Sequence, residues 1–535
     1  MVTGAGAAAP ADAAGDYDFV VVGSGFGGSV AALRLAEKGY RVCVVEKGRR
    51  FQAQDFPATN WDLRRYLWSP RLGLRGPQAL TLLRDVLLLH GVGFGGGSLI
   101  YTGVLVEPPA AFFDAPAWRD LADWRTELAP HFEVARRTIG VSISPHRTPP
   151  DRLLEDLVRA RGDGAIAHDV PMGILLGEPG QEGREVPDPY HGGRGPARRT
   201  CVLCGGCMVG CRFDAKNTLD RNYLYLAERL GVAVRTETEV SRIEVLGGDP
   251  EGGAGYRIAT TRGPLTARGV VLAAGAIGTQ SLLLRCRDEG ALPRLSDRLG
   301  TGVRINNEDI LGVTTRQPDA DNSHAPGAGA RIELPGQTTA LAVRFPAGSS
   351  FFGLLMFPST GAAGAWRALG RFLGWMVRRP LATLALLAKR RWAERSIGLI
   401  GMQRAEGELR IRRGRGLLTL FRRGPVSEKV PGRPIPRGLP ELRDLARRLA
   451  DSTDGVPQHL IPSAFGVTTT AHLFGGCVIG RGPDDGVVDA DQRVFGYRNL
   501  YICDGSVIPA NPGTAPSLTI AAMAERCMAK IPAPR

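Results

Sequence analysis

Short apolar runs, each closed by glycine, recur along the chain, and their spacing predicts its elements. Residues 19–22 (Phe-Val-Val-Val) read as a strand buried on both faces, running into Gly23-Ser24-Gly25-Phe26-Gly27-Gly28. A helical pattern follows to about Gly39, and a second buried run, 42–45, stops at Glu46. The strand-turn-helix order returns at 269–272, Ala273-Ala274-Gly275 and a helix to Arg285. It returns in part at 499–503, before Asp504-Gly505 and a last helix over 516–530. Between these segments the pattern changes. Residues 340–345 (Ala-Leu-Ala-Val-Arg-Phe) alternate as an antiparallel sheet requires, and 365–392 reads as two amphipathic helices broken at Pro380.

These patterns predict an α/β Rossmann-like domain that is discontinuous, built from 16–135, 200–305 and 462–530. It joins an α+β substrate domain with a mainly antiparallel sheet, built from 136–199 and 306–461. Residues 1–15 read as a flexible leader. The 365–392 pair reads either as surface helices or as a lid over an apolar pocket that also touches a membrane.

The glycines carry the first chemistry. Gly23 allows the tight turn, Gly25 lets the backbone approach a pyrophosphate, and Gly28 lets the helix pack on the strand with its N–H groups toward the phosphates. Glu46 is spaced to accept a ribose hydroxyl, which favours FAD or NAD over NADP. A second cluster holds five glycines within seven residues, 91–97, followed by Ser98. Gly93, Gly96 and Gly97 there let backbone pass close to a flat ring, as the far end of a flavin cofactor requires. In a third cluster His472 precedes Gly475-Gly476. A histidine so placed exchanges a proton near neutral pH, or is a satisfied structural residue. Asp504 binds a ribityl hydroxyl or caps the next element.

Composition narrows the partners. The 535 residues carry 67 Lys and Arg against 53 Asp and Glu, a net charge of +14. The basic residues are scattered without an aromatic-interleaved patch, which argues against nucleic acid and leaves an anionic membrane surface as the better use of the charge. No secretory signal and no run of 18 apolar residues is visible, so a reducing cytoplasm, with peripheral membrane contact as an addition, is the expected setting for the nine cysteines. Four of them, Cys201, Cys204, Cys207 and Cys211, have the C-x2-C-x2-C-x3-C spacing of a ferredoxin segment. They form either an iron–sulfur or zinc site, or a thiol-rich structural turn near the flavin; no metal is assigned.

The three glycine clusters in this order, with Trp61-Asp-Leu-Arg, Val186-Pro-Asp-Pro-Tyr, Gly195-Pro-Ala-Arg, Ala215-Lys-Asn-Thr-Leu and 521–526, resemble the glucose-methanol-choline (GMC) family of FAD oxidoreductases, in its cholesterol-oxidase-like branch. The resemblance implies the GMC fold and non-covalent FAD, with the pyrophosphate over 23–28 and the isoalloxazine ring near 96–98 and 514–517. Val240, Ala274, Gly275, Asp504, Gly505, Pro516 and Ser517 complete the implied cofactor set. It also implies that His472 takes the hydroxyl proton of a bulky apolar secondary alcohol as hydride leaves for flavin N5, with dioxygen or another acceptor removing the electrons. Two positions depart from the branch. The Gly-Val-Asn-Pro segment of such oxidases is Gly513-Thr514-Ala515-Pro516, and the glutamate that moves a proton during steroid isomerisation falls on Leu341. The loss of the amide leaves room for a different use of the fold, a flavin-binding scaffold for a net non-redox step on a natural product. An electron-carrying module built on the cysteines is a third reading.

Overall fold

The computed structural model describes residues 17–248, 250–359, 391–416, 419, 421–436, 438–464 and 467–534, with four isolated positions between 370 and 378. The leader at 1–15 and nearly all of the 365–392 segment lie outside the described residues.

Strand Tyr17–Val22 forms the centre of a seven-stranded sheet. It pairs in parallel with Val42–Val45 on one side and with Leu265–Leu272 on the other. Ala233–Arg235 extends the sheet beyond Val42–Val45, and Leu500–Ile502 pairs in parallel with the end of Leu265–Leu272. Strands buried on both faces need continuous apolar runs, and residues 19–22 and 42–45 are all buried. Helices Phe26–Glu37, Trp124–Ile139 and Ser517–Lys530 share the core beside them. Leu265–Leu272 also closes an antiparallel meander with Val240–Val245 and Tyr256–Thr260.

The second domain is a seven-stranded antiparallel sheet in the order Met356–Pro358, Gly455–Leu460, Asp309–Thr315, Ser396–Gln403, Thr338–Val343, Ala328–Leu334, Ile166–His168. Its two faces are segregated by the period of two. Ala340 and Ala342 join Leu154, Leu442 and Leu449 of helices Pro149–Arg161 and Pro440–Ser452 on one side. Leu341 and Val343 face the other side, with Met402 and Ala515.

Two segments depart from the expected division. The 135/136 boundary falls inside helix Trp124–Ile139, whose Ile139 is buried in the nucleotide-domain core. The hairpin Leu409–Gly414 with Gly424–Lys429, expected in the substrate domain, turns Leu409 and Ile411 into that same core, and Leu409 bridges to Val303. Alternation alone reveals that Leu409 and Ile411 share a buried face, but not which domain covers it.

Candidate active site

The first two glycine clusters meet. Gly23 has φ +99°, and a Cβ there would lie 2.3 Å from the carbonyl oxygen of Ala273. A Cβ on Gly27 would lie 1.4 Å from the carbonyl oxygen of Cys503, and one on Gly28 would lie 2.0 Å from that of Gly23. The first loop is therefore wedged against the ends of strands Leu265–Leu272 and Leu500–Ile502. A Cβ on Gly96 would stand 2.6 Å from Cα of Gly25, so the second cluster lies against the first. Ser24 fastens them: its Oγ donates to Glu46 Oε2 at 2.8 Å and accepts from the Gly95 N–H at 3.1 Å.

At Gly25, Gly97 and Gly275 an added Cβ would meet nothing within 4 Å. Gly25 and Gly97 border open space at the N-terminus of the twelve-residue helix Phe26–Glu37, whose first N–H groups have no intrahelical acceptor, and Gly275 heads helix Ala276–Asp288. A cradle lined by bare backbone and orphan donors fits a dinucleotide pyrophosphate. Glu46 is buried and already accepts from Ser24 and, at 2.8 Å, from the Gly48 N–H. Asp504 serves as a cap. It accepts from Ser506 N at 2.9 Å, Ser506 Oγ at 2.6 Å and Thr279 Oγ1 at 2.5 Å, closing the turn Gly505–Val507. Burial pushes its carboxyl above the ordinary 3.8, and these bonds only partly offset that. Thr279 Oγ1 in turn accepts from the Ala274 N–H. Ser98 Oγ donates to Gly95 O at 2.7 Å, Val240 heads its strand half-buried, and Pro516 and Ser517 open the last helix.

His472 stands just past strand Thr468–Thr470, which pairs in parallel with Val86–Gly91. Its backbone N–H donates to Thr470 Oγ1 at 2.9 Å. The imidazole is one-fifth exposed, and Nδ1 pairs with Oε1 of Glu308, a carboxylate 1% exposed. Asn306 Nδ2 is 3.0 Å from the same Nδ1 and donates to the Thr514 carbonyl at 2.8 Å. That bond ties the histidine to the 513–516 segment. Among the described residues His472 bonds through Nδ1 and its backbone and not through Nε2, and Asn306 Oδ1, Glu308 Oε1, Thr469 Oγ1 and Thr514 Oγ1 are buried without a hydrogen-bond partner. Orphaned polar atoms around a half-open imidazole mark a ligand site. Sequence reasoning missed Glu308 and Asn306. Their signal is an Asn-Asn-Glu-Asp run at a strand start, which has no meaning until its partner is known.

Leu341 and Ala515, the two departures from the branch, share one apolar cluster with Met402, Ile400, Cys201 and Cys207. The cysteine run makes a buried turn there, and all four thiols are free and line a cavity of about 20 Å³. Among the described residues no three His, Cys, Asp or Glu side chains stand together as a metal would need. Burial pushes the Cys207 thiol up to about 12 despite the opposing charge of Lys216. Lys216 itself is buried and donates to the carbonyls of Cys207 (2.6 Å), Leu99 (2.9 Å) and Tyr101 (3.2 Å), joining this turn to the Ser98 loop.

Comparison with known proteins agrees with this geometry. Residues 18–308 match a family described as FAD dependent oxidoreductase, and 444–524 match GMC oxidoreductase. The chain is 43% identical over 526 residues to a cholesterol oxidase of Mycobacterium tuberculosis, covering 96% of this chain and 90% of that protein. It is 38% identical to a cholesterol oxidase of Acinetobacter baumannii, covering 97% and 95%. Among solved structures, pyridoxine 4-oxidase from Mesorbium loti shares the fold at TM-score 0.61 and 17% identity, covering 96% of this chain and 98% of that one. The glycine cradle, the two-domain fold and these relatives make the chain a member of the GMC family of FAD-dependent oxidoreductases.

Proposed function

We propose that this enzyme oxidises a secondary alcohol on a bulky, apolar, sterol-like molecule, with His472 as the base. The observation that carries this reading is the imidazole paired at Nδ1 with Glu308 and tied through Asn306 to Thr514, with Nε2 unbonded among the described residues. FAD, when bound, supplies a hydride acceptor for the carbinol carbon. The chain's own contribution is to hold the alcohol with its hydroxyl at His472 Nε2, take the proton there, and keep water away. Leu341, Ile400, Met402 and Ala515 form one buried apolar cluster, which this reading sets beside the sterol skeleton. Dioxygen is the proposed terminal acceptor. The scaffold reading has no support from the cholesterol oxidases to which the chain is similar.

The test is anaerobic mixing of the holoenzyme with a panel of 3β-hydroxysteroids. Bleaching of the flavin band supports the reading, and a flavin that none of them reduces overturns it. Peripheral membrane contact is a separate proposal, motivated by the Trp- and Arg-rich 365–392 segment and the charge of +14. Among the described residues no helix is long and apolar enough to cross a membrane. Co-sedimentation with anionic but not neutral vesicles is its expected outcome, and equal recovery from both would sink it.

A further inference from the structure

We infer that Glu308 is a positioning residue that fixes the tautomer of His472, placing the proton on Nδ1 and leaving the lone pair of Nε2 for the substrate. The inference rests on the reading of His472 as the base. A buried carboxylate is costly unless paired, and the Glu308 side chain is 1% exposed. Its Oε2 accepts the Ala471 N–H at 2.9 Å, and its Oε1 pairs with His472 Nδ1. It therefore grips both the backbone before the histidine and the ring. A carboxylate accepts hydrogen bonds and cannot donate, so the tautomer that satisfies the otherwise unpartnered Oε1 carries its hydrogen on Nδ1. When Nε2 takes a second proton, the same carboxylate stabilises the imidazolium.

Asn306 offers the competing arrangement, in which its amide donates to a bare Nδ1 at 3.0 Å. Among the described residues, the neighbouring charged groups Arg304, Arg404 and Asp309 are turned elsewhere. Arg304 donates to Pro509 O and pairs with Glu406 and Glu408, Arg404 bonds Gln337, and the next carboxylate, Asp309, faces Leu439 and Arg443. Glu308 is thus the charge whose removal His472 feels most.

The experiment is a pH titration of ¹⁵N-histidine-labelled holoenzyme, with the His472 signals assigned by their loss in His472→Ala. The Nδ1–H tautomer is expected in the wild type, and Glu308→Gln is expected to lower the share of that tautomer. In parallel, anaerobic flavin reduction by a hydroxysteroid should slow about 10–100-fold in Glu308→Gln with substrate affinity little changed, and recover in part in Glu308→Asp. In a His472→Ala background the glutamate change should add nothing. An Nε2–H tautomer in the wild type, or an unchanged tautomer share in FAD-loaded Glu308→Gln, overturns the inference. Should Glu308→Gln fail to fold, the wild-type tautomer and Glu308→Asp still decide. Failure of the catalytic reading is seen separately, as His472→Ala reducing its flavin at the wild-type rate.

Discussion

Two side chains set what the site can do. His472→Ala removes the proposed base, and flavin reduction by a bound alcohol should fall about 10²–10⁴-fold, read by anaerobic stopped-flow at saturating substrate. FAD content should stay normal, because the ring's partners, Glu308 and Asn306, are not among the glycine-cradle residues. Leu341 is 5% exposed and packed with Ala515 in an apolar cluster. A hydrocarbon side chain cannot carry a proton, so a 5-ene-3β-hydroxysteroid should leave as the unconjugated ketone. Chromatography of early product checks this, and an enone formed at the rate of oxidation would refute it.

The strand-turn-helix at 17–37 separates glycines that hold the fold from glycines that hold the ligand. Gly27→Ala would drive a methyl into the Cys503 carbonyl, since the ideal Cβ falls 1.4 Å from that oxygen. Melting of the variant should show a loss of several kcal/mol, as overpacking against backbone predicts. Gly25 has ordinary extended dihedrals, φ −71° and ψ −167°, and open space beside it. Gly25→Ala should leave the stability of the apoprotein within about 0.5 kcal/mol, yet weaken FAD binding at least tenfold, measured by titration of apoprotein with FAD. Equal effects on stability from the two alanines would contradict the cradle.

The whole molecule is joined by contacts between segments far apart in the chain, and one of them reports on pH. Arg344 on the substrate sheet donates to Asp151 at 2.6 Å, at the start of helix Pro149–Arg161, and both side chains are buried. Burial alone would raise the Asp151 carboxyl, but the Arg344 charge and the bonds from Arg344 and Thr148 hold it below its ordinary 3.8. The pair's stabilisation is therefore present above the unfolded value and is lost as pH falls through the lower folded value. Arg344→Met should cost about 3–5 kcal/mol at neutral pH by leaving a buried carboxylate unpaired. The gap between wild type and variant should narrow in thermal melts taken below about pH 4; a gap independent of pH would show that packing, not charge, is at work.

The cradle was legible before any fold was known. Buried runs at 19–22 and 42–45, the turn at Gly23 and the approach at Gly25 are constraints on neighbouring residues, and sequence order alone expresses them. So was the antiparallel substrate sheet, whose alternation at 340–343 put Leu341 and Ala340 on opposite faces. His472 was legible as a histidine before a glycine turn, but not its partners. Asn306 is 166 residues from it, and nothing local in 306–309 marks one carboxylate for the imidazole and the next for Arg443. The same holds for Leu341 and Ala515, two separate departures that tertiary packing brought into a single wall, and for the 409–429 hairpin, which the nucleotide domain covers. Sequence by itself determined the backbone paths and the faces to be buried, because these follow from local sterics and periodicity. Which face meets which, and hence the charge beside the base, was decided only by the docking of one sheet against the other.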